Sequence, residues 1–109
     1  MNRRALATNP ASVGGGSILV QSLDGLKVDF TGESDTLVIR HPDAPGAIAE
    51  VSRVLSFAKM NIAAMRVFRR EAGGDAAMVI ELDGVPDTAV LDSIRALSCI
   101  RSVALLKKL

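Results

Sequence analysis

From Thr36 to Leu106 the sequence runs strand, helix, strand, turn, strand, helix, strand, and that order restricts the fold more than any other feature. Thr36 to His41 is β-branched and extended in character, and Pro42-Asp43-Ala44-Pro45-Gly46 ends it. Ile48, Val51, Val54, Leu55 and Ala58 recur at helical spacing, with Glu50, Ser52, Arg53 and Ser56 opposite them. Asn61 to Arg69 reads as a second strand, Arg70-Glu71-Ala72-Gly73-Gly74 as a turn, and Ala76 to Leu82 as a third strand. Gly84-Val85-Pro86-Asp87 opens a second helix, striped by Val90, Leu91, Ile94 and Leu97, and Ile100 to Leu106 is a fourth strand. This split βαβ order predicts the α+β class, a ferredoxin-like βαββαβ sandwich. Right-handed crossovers put both helices on one face of a four-stranded antiparallel sheet. Val38, Ala63, Met65 and Val67 are expected on the other face, an apolar set that favours self-association.

The preceding third reads differently. Residues 1–16, with Asn9-Pro10 and Gly14-Gly15-Gly16, read as a flexible, irregular leader. Residues 17–35 read as a β-hairpin extension, with Ile18-Leu19-Val20 on one strand and Leu26, Val28 and Phe30 alternating on the next. Asp24-Gly25 is a two-residue turn signal, because a type I′ turn needs positive φ at both positions. A lone hairpin is marginal in water, so this one must pair with something else. The expected organisation is therefore 1–16, 17–35 and 36–109.

Composition narrows the function. Thirteen Lys and Arg against twelve Asp and Glu leave a net charge of +1, with no general pull toward nucleic acid or an anionic membrane. Three Phe, no Tyr and no Trp give little material for stacking bases. The single Cys99 excludes a disulfide framework, a CxxC metal loop and an iron–sulfur cluster, which takes about four thiolates. No apolar run approaches the roughly 20 residues of a membrane span, and no signal-peptide core follows Met1 to Arg4. A soluble cytoplasmic domain is the expectation.

The bend at His41 to Gly46 is the most informative stretch. A helix that starts directly after a strand leaves backbone N–H groups free near Pro45-Gly46, and these suit a carboxylate. Asp43 can accept from an ammonium group, so the bend complements a zwitterionic amino acid. The structural alternative is that Asp43 caps the helix and Pro45 fills its first turn. His41, the only histidine, has no clustered metal ligands and reads first as a packed or solvent-facing residue. Asn61 reads either as a site residue facing another subunit or as the residue ending the helix. Arg66, Arg69 and Arg70 form a basic stretch, read chiefly as a solvated face. No Ser–His–carboxylate set or desolvated lysine supports catalysis by this chain alone.

His41-Pro42-Asp43-Ala44-Pro45-Gly46-Ala47-Ile48, Met60-Asn61-Ile62-Ala63-Ala64-Met65 and Gly73-Gly74-Asp75-Ala76-Ala77-Met78 together resemble an ACT domain, a regulatory amino-acid-binding module. Ala11 to Val20 and Leu23 to Glu33 resemble the end of the domain before that module in the iron–sulfur L-serine dehydratases, most like their separate β subunit. The same tail occurs in some D-3-phosphoglycerate dehydrogenases, and Met65 to Arg69 with Thr31-Gly32-Glu33 lean toward the dehydratase. The resemblance implies a parent enzyme that deaminates L-serine to pyruvate and ammonia, with its [4Fe–4S] cluster on a different catalytic domain or subunit. It implies an effector site of His41, Asp43, Ala44, Pro45, Gly46, Asn61 and Ile62, with L-serine as effector. It also implies a homodimer through the sheet or the helices. Many serine-binding members carry Asn where this chain has Asp43, a departure that adds negative charge. A dehydrogenase tail and a purely structural dimerisation module remain as alternatives. The Met1-Asn2 start fits an excised C-terminal piece or a processed chain.

Overall fold

A computed structural model describes the backbone of residues 9–13, 16–23 and 26–108, and the side chains of 26–108. The Asp24-Gly25 turn, Gly14-Gly15 and the first eight residues of the leader lie outside the described residues. Three strands come first: β1 (Asn9–Val13), β2 (Gly16–Leu23) and β3 (Leu26–Phe30), forming an antiparallel sheet in the order β1-β2-β3. The hairpin of β2 and β3 is thus joined by a third strand, since Asn9 to Val13 pairs with Val20 to Gly16. That segment was expected to be irregular; its ladder hydrogen bonds to β2 outweigh the turn signal of Asn9-Pro10.

The second sheet carries the βαββαβ unit. Its elements are β4 (Asp35–Pro42), α1 (Ala47–Phe57), β5 (Asn61–Arg69), β6 (Asp75–Asp83), α2 (Thr88–Arg95) and β7 (Ser102–Leu106). The strand order is β5-β6-β4-β7, every pair antiparallel, so β4 and β5 are separated by β6. This is the ferredoxin-like arrangement. Val51 and Leu55 of α1 and Val90 and Ile94 of α2 pack on Leu37, Ile39, Met78, Ile80 and Leu82, which places both helices on one face.

The helix ends follow from local chemistry. Asp87 caps α2, its Oδ1 accepting from the Val90 N–H at 2.9 Å. At the end of α1, Lys59 adopts φ +60, Lys59 N–H donates to Ser56 O and Met60 N–H donates to Leu55 O. That is a Schellman closure. Lys59, not Asn61, takes the left-handed position, so Asn61 is free of helix-ending duty.

The face opposite the helices is not open. Leu26, Val28 and Phe30 of β3 lie on Val38, Ala77, Val79 and Leu106, and all seven are buried. An ion pair from Arg66 to Asp29 at 2.9 Å and a hydrogen bond from Thr31 Oγ1 to Glu81 at 2.9 Å tie the two sheets at the edge of this layer. Val38 points there as expected, but Met65 does not. A register irregularity between Ile62 and Ala64 sets Met65 opposite Ile80 and Val67 opposite Met78, on the helix side. One extra residue reverses the alternation downstream of it. The expected apolar surface for self-association is therefore the chain's own second core.

Candidate functional site

The bend after β4 is held in place by contacts that reach across the sheet. Asp43 N–H donates to Gly74 O at 2.8 Å. Its carboxylate Oδ2 accepts from Gly73 N–H at 3.0 Å and from Arg69 Nη1 at 2.9 Å. Gly73 has φ +79, a conformation that favours glycine and turns its N–H toward the carboxylate. The Gly73 hydrogen bond, and after it the Arg69 guanidinium, hold the Asp43 carboxyl below its ordinary value of 3.8. Asp43 does not cap α1. It latches the bend to the β5–β6 turn, and Arg69, read from sequence as part of a solvated basic face, is its partner.

The cap of α1 is Gly46, at φ +102, with no side-chain hydrogen bond to the first turn. Pro45 therefore lies one residue before the cap rather than in the helix. Ala44, Pro45 and Gly46 are exposed. A cavity of about 200 Å³ opens beside them, lined by Pro45, Gly46, Glu50, Leu97, Ser98 and Cys99. The last three lie in the α2–β7 connection. They are not legible in the sequence, because they join the bend through the β4–β7 pairing and lie far along the chain from it.

His41 is buried at the root of the bend, 3% exposed. It shares the parity of Leu37 and Ile39, hence the helix side of the sheet. Its Nδ1 lies 2.8 Å from Pro42 O, and a carbonyl only accepts, so the proton is assigned to Nδ1. Nε2 is then an acceptor, buried and without a hydrogen-bond partner among the described residues.

Asn61 and Ile62 are elsewhere. Asn61 is exposed and its Nδ2 donates to Asp83 Oδ2 at 2.6 Å, while Ile62 packs against the helix-side core. Both line a groove with Ser52, Ser56, Lys59 and Met60 at the far end of α1. Eleven helical residues, roughly 16 Å at 1.5 Å each, separate this end from Gly46. Within one chain the structure brings His41, Asp43, Ala44, Pro45 and Gly46 together, and leaves Asn61 and Ile62 apart from them. Among the described residues no group of three or more His, Cys, Asp or Glu is gathered to hold a metal ion. No described helix is long and apolar enough to cross a membrane.

Comparison with known proteins adds the following. A family model described as the ACT domain matches residues 36–99. The chain is 35% identical over 86 residues to the probable L-serine dehydratase, beta chain, of Bacillus subtilis, covering 79% of this chain and 39% of that protein. It is 34% identical over 88 residues to D-3-phosphoglycerate dehydrogenase of Methanocaldococcus jannaschii, covering 81% of this chain and 17% of that protein. The L-serine dehydratase, beta chain, of Peptoniphilus asaccharolyticus is 26% identical over 73 residues, 67% of this chain and 33% of its own length. The chain thus spans well under half the length of these relatives.

Proposed function

The chain belongs to the ACT domain family, and from that premise we propose that it is the amino-acid-sensing regulatory module of an L-serine dehydratase, binding L-serine without transforming it. The observation that carries this reading is the bend itself. Gly46 leaves the first turn of α1 without a side-chain cap, beside a small cavity and three residues after Asp43. In this proposal the N–H groups at the start of α1 take the ligand carboxylate. Asp43 faces the ammonium, and the buried Nε2 of His41 accepts from a ligand N–H or O–H.

Asn61 and Ile62 complete the site from a second subunit, because α1 holds them a helix length away within their own chain. A ligand shared in this way regulates by preferring one subunit arrangement, at a usual scale of about 1–3 kcal/mol. The dehydratase parent is supported by coverage: the matched region is 39% of the Bacillus beta chain and 17% of the archaeal dehydrogenase. A dehydrogenase tail is the second reading, favoured by the 34% identity to that enzyme. The dehydratase's [4Fe–4S] cluster does not fit here, since it takes about four thiolates and this sequence has one cysteine. It is assigned to the catalytic domain or subunit.

Isothermal calorimetry tests the site. L-serine is expected to give saturable heat and D-serine none, with His41→Phe lowering affinity about tenfold by removing one buried hydrogen bond. Folded protein that gives no heat with millimolar L-serine overturns the effector reading. It would favour the structural alternative, in which the bond from Arg69 occupies Asp43 permanently.

A further inference from the structure

The Asp43 carboxylate is engaged on the side of β4 away from the small cavity. In the strand order β5-β6-β4-β7, Arg69 at the end of β5 and Gly73 in the β5–β6 turn lie to one side of β4. Leu97, Ser98 and Cys99, which wall the cavity and lead into β7, lie to the other. Arg69 Nη1 and Gly73 N–H both donate to one oxygen, Oδ2, at 2.9 and 3.0 Å. Asp43 itself does not line the cavity. The residue that the effector reading assigns to the ligand ammonium is therefore already held by a cation of this chain, and held away from the ligand's place.

We propose that Arg69 is an internal competitor for the ammonium subsite: its guanidinium holds the Asp43 carboxylate while the site is empty, and a ligand ammonium gains that carboxylate only as Arg69 gives it up. This rests on the effector reading and adds the regulation of that site. One cation–carboxylate hydrogen bond is traded for another, so the exchange leaves no charge unpaired. Exposure keeps it reversible. The Arg69 side chain is 56% exposed and that of Asp43 24%, and an ion pair so open to water is weak, so a released guanidinium returns to solvent at small cost. A fully buried pair would keep its carboxylate out of reach. The latched population lowers the apparent affinity in proportion to the fraction of chains whose carboxylate is free. Gly73 N–H shares Oδ2 with Arg69, so the same exchange takes its acceptor away and loosens the β5–β6 turn. The bond from Asp43 N–H to Gly74 O is a main-chain contact outside this competition, and it keeps the bend tethered while the side chain switches.

Calorimetry with L-serine on the full 109-residue chain, and NMR of its Gly73 amide, test the latch. Arg69→Gln is expected to tighten L-serine binding about two- to fivefold, the scale of one exposed ion pair, and Arg69→Lys, which keeps the cation, to tighten it less. On the wild-type chain, saturating L-serine should shift the Gly73 amide proton upfield, toward its position in Asp43→Asn, as an amide shifts on losing a carboxylate acceptor. That resonance is read without any substitution at Arg69, so it does not depend on how those variants fold. Equal or weaker binding by folded Arg69→Gln overturns the latch and leaves L-serine as effector. So does a Gly73 amide that stays unmoved at saturation. No heat from wild type and Arg69→Gln alike overturns the effector reading, and the latch falls with it.

Discussion

On one face the four-stranded sheet buries Leu37, Ile39, Met78, Ile80 and Leu82 under two amphipathic helices, whereas on the other Val38, Ala77, Val79 and Leu106 lie under β3. The helix layer is intrinsic to the βαββαβ unit, each helix joined to the strands it covers by a short connection. The β3 layer comes from outside that unit and is tied at its edge by polar contacts from Arg66 and Thr31. The same strands thus serve two cores, one closed by local chain order and one by docking of a preceding segment. Anything attached before β3 is linked mechanically to the regulatory sheet, because β3 is part of its packing.

The sharpest way to break this equivalence is to cut into each core. Leu55→Ala should cost about 2–5 kcal/mol and Phe30→Ala about 3–5 kcal/mol in urea unfolding, in a single transition for both. A loss under about 1 kcal/mol for Phe30→Ala, or a separate early transition, would mean that β3 is a loose flap. Met65→Glu belongs to the same test: with Met65 opposite Ile80 on the helix side, it should destabilise the fold rather than dissociate a dimer.

A smaller effect is expected at the edge of the β3 layer. Arg66 and Asp29 are about half and one-third exposed, so Arg66→Ala should cost only about 0.2–1 kcal/mol, a loss that 1 M salt erases. A salt-insensitive loss well above that range would show that the guanidinium acts by packing on the layer rather than by its charge.

The smallest effect concerns the latch at the bend and is read by pH. The folded Asp43 carboxyl is held below its ordinary 3.8, so in acid the unfolded chain binds the proton more readily. The latch's stabilisation is complete above that ordinary value and is lost as pH falls through the lowered folded value. Asp43→Asn should therefore be less stable than wild type at neutral pH, with the gap closing as pH falls below 3.8. Urea midpoints at both pH values check this, and a constant gap would remove the carboxylate as the cause.

Much of the fold was legible because its signals are local. The stripe Val51, Val54, Leu55 and the cap Asp87 report helices within a few residues of themselves, and Pro42 and Gly46 punctuate the strand before α1. The alternation Leu26, Val28, Phe30 likewise announced a strand with one apolar face. What it packs on was not legible, since alternation names a buried face without naming its neighbour. The bulge after Ile62 was silent too: Asn61 to Met65 carries no glycine or proline to mark it, and the irregularity answers to pairing with β6. At the site, the bend could be read directly, but not that Gly46 rather than Asp43 stands at the cap of α1. The bond from Arg69 to Asp43 and the wall of Leu97, Ser98 and Cys99 could not, because each is brought in by a strand pairing.

The sequence by itself determined the order of elements from β4 onward, the helix faces and the exposed main chain at Pro45-Gly46, all of which arise from neighbours along the chain. Only the tertiary structure decided that the outer sheet face is closed, that Met65 turns inward, and that Asp43 is latched rather than capping. Those outcomes depend on which distant segments meet, and burial rewards any apolar partner of suitable shape, so residue type alone does not select among them.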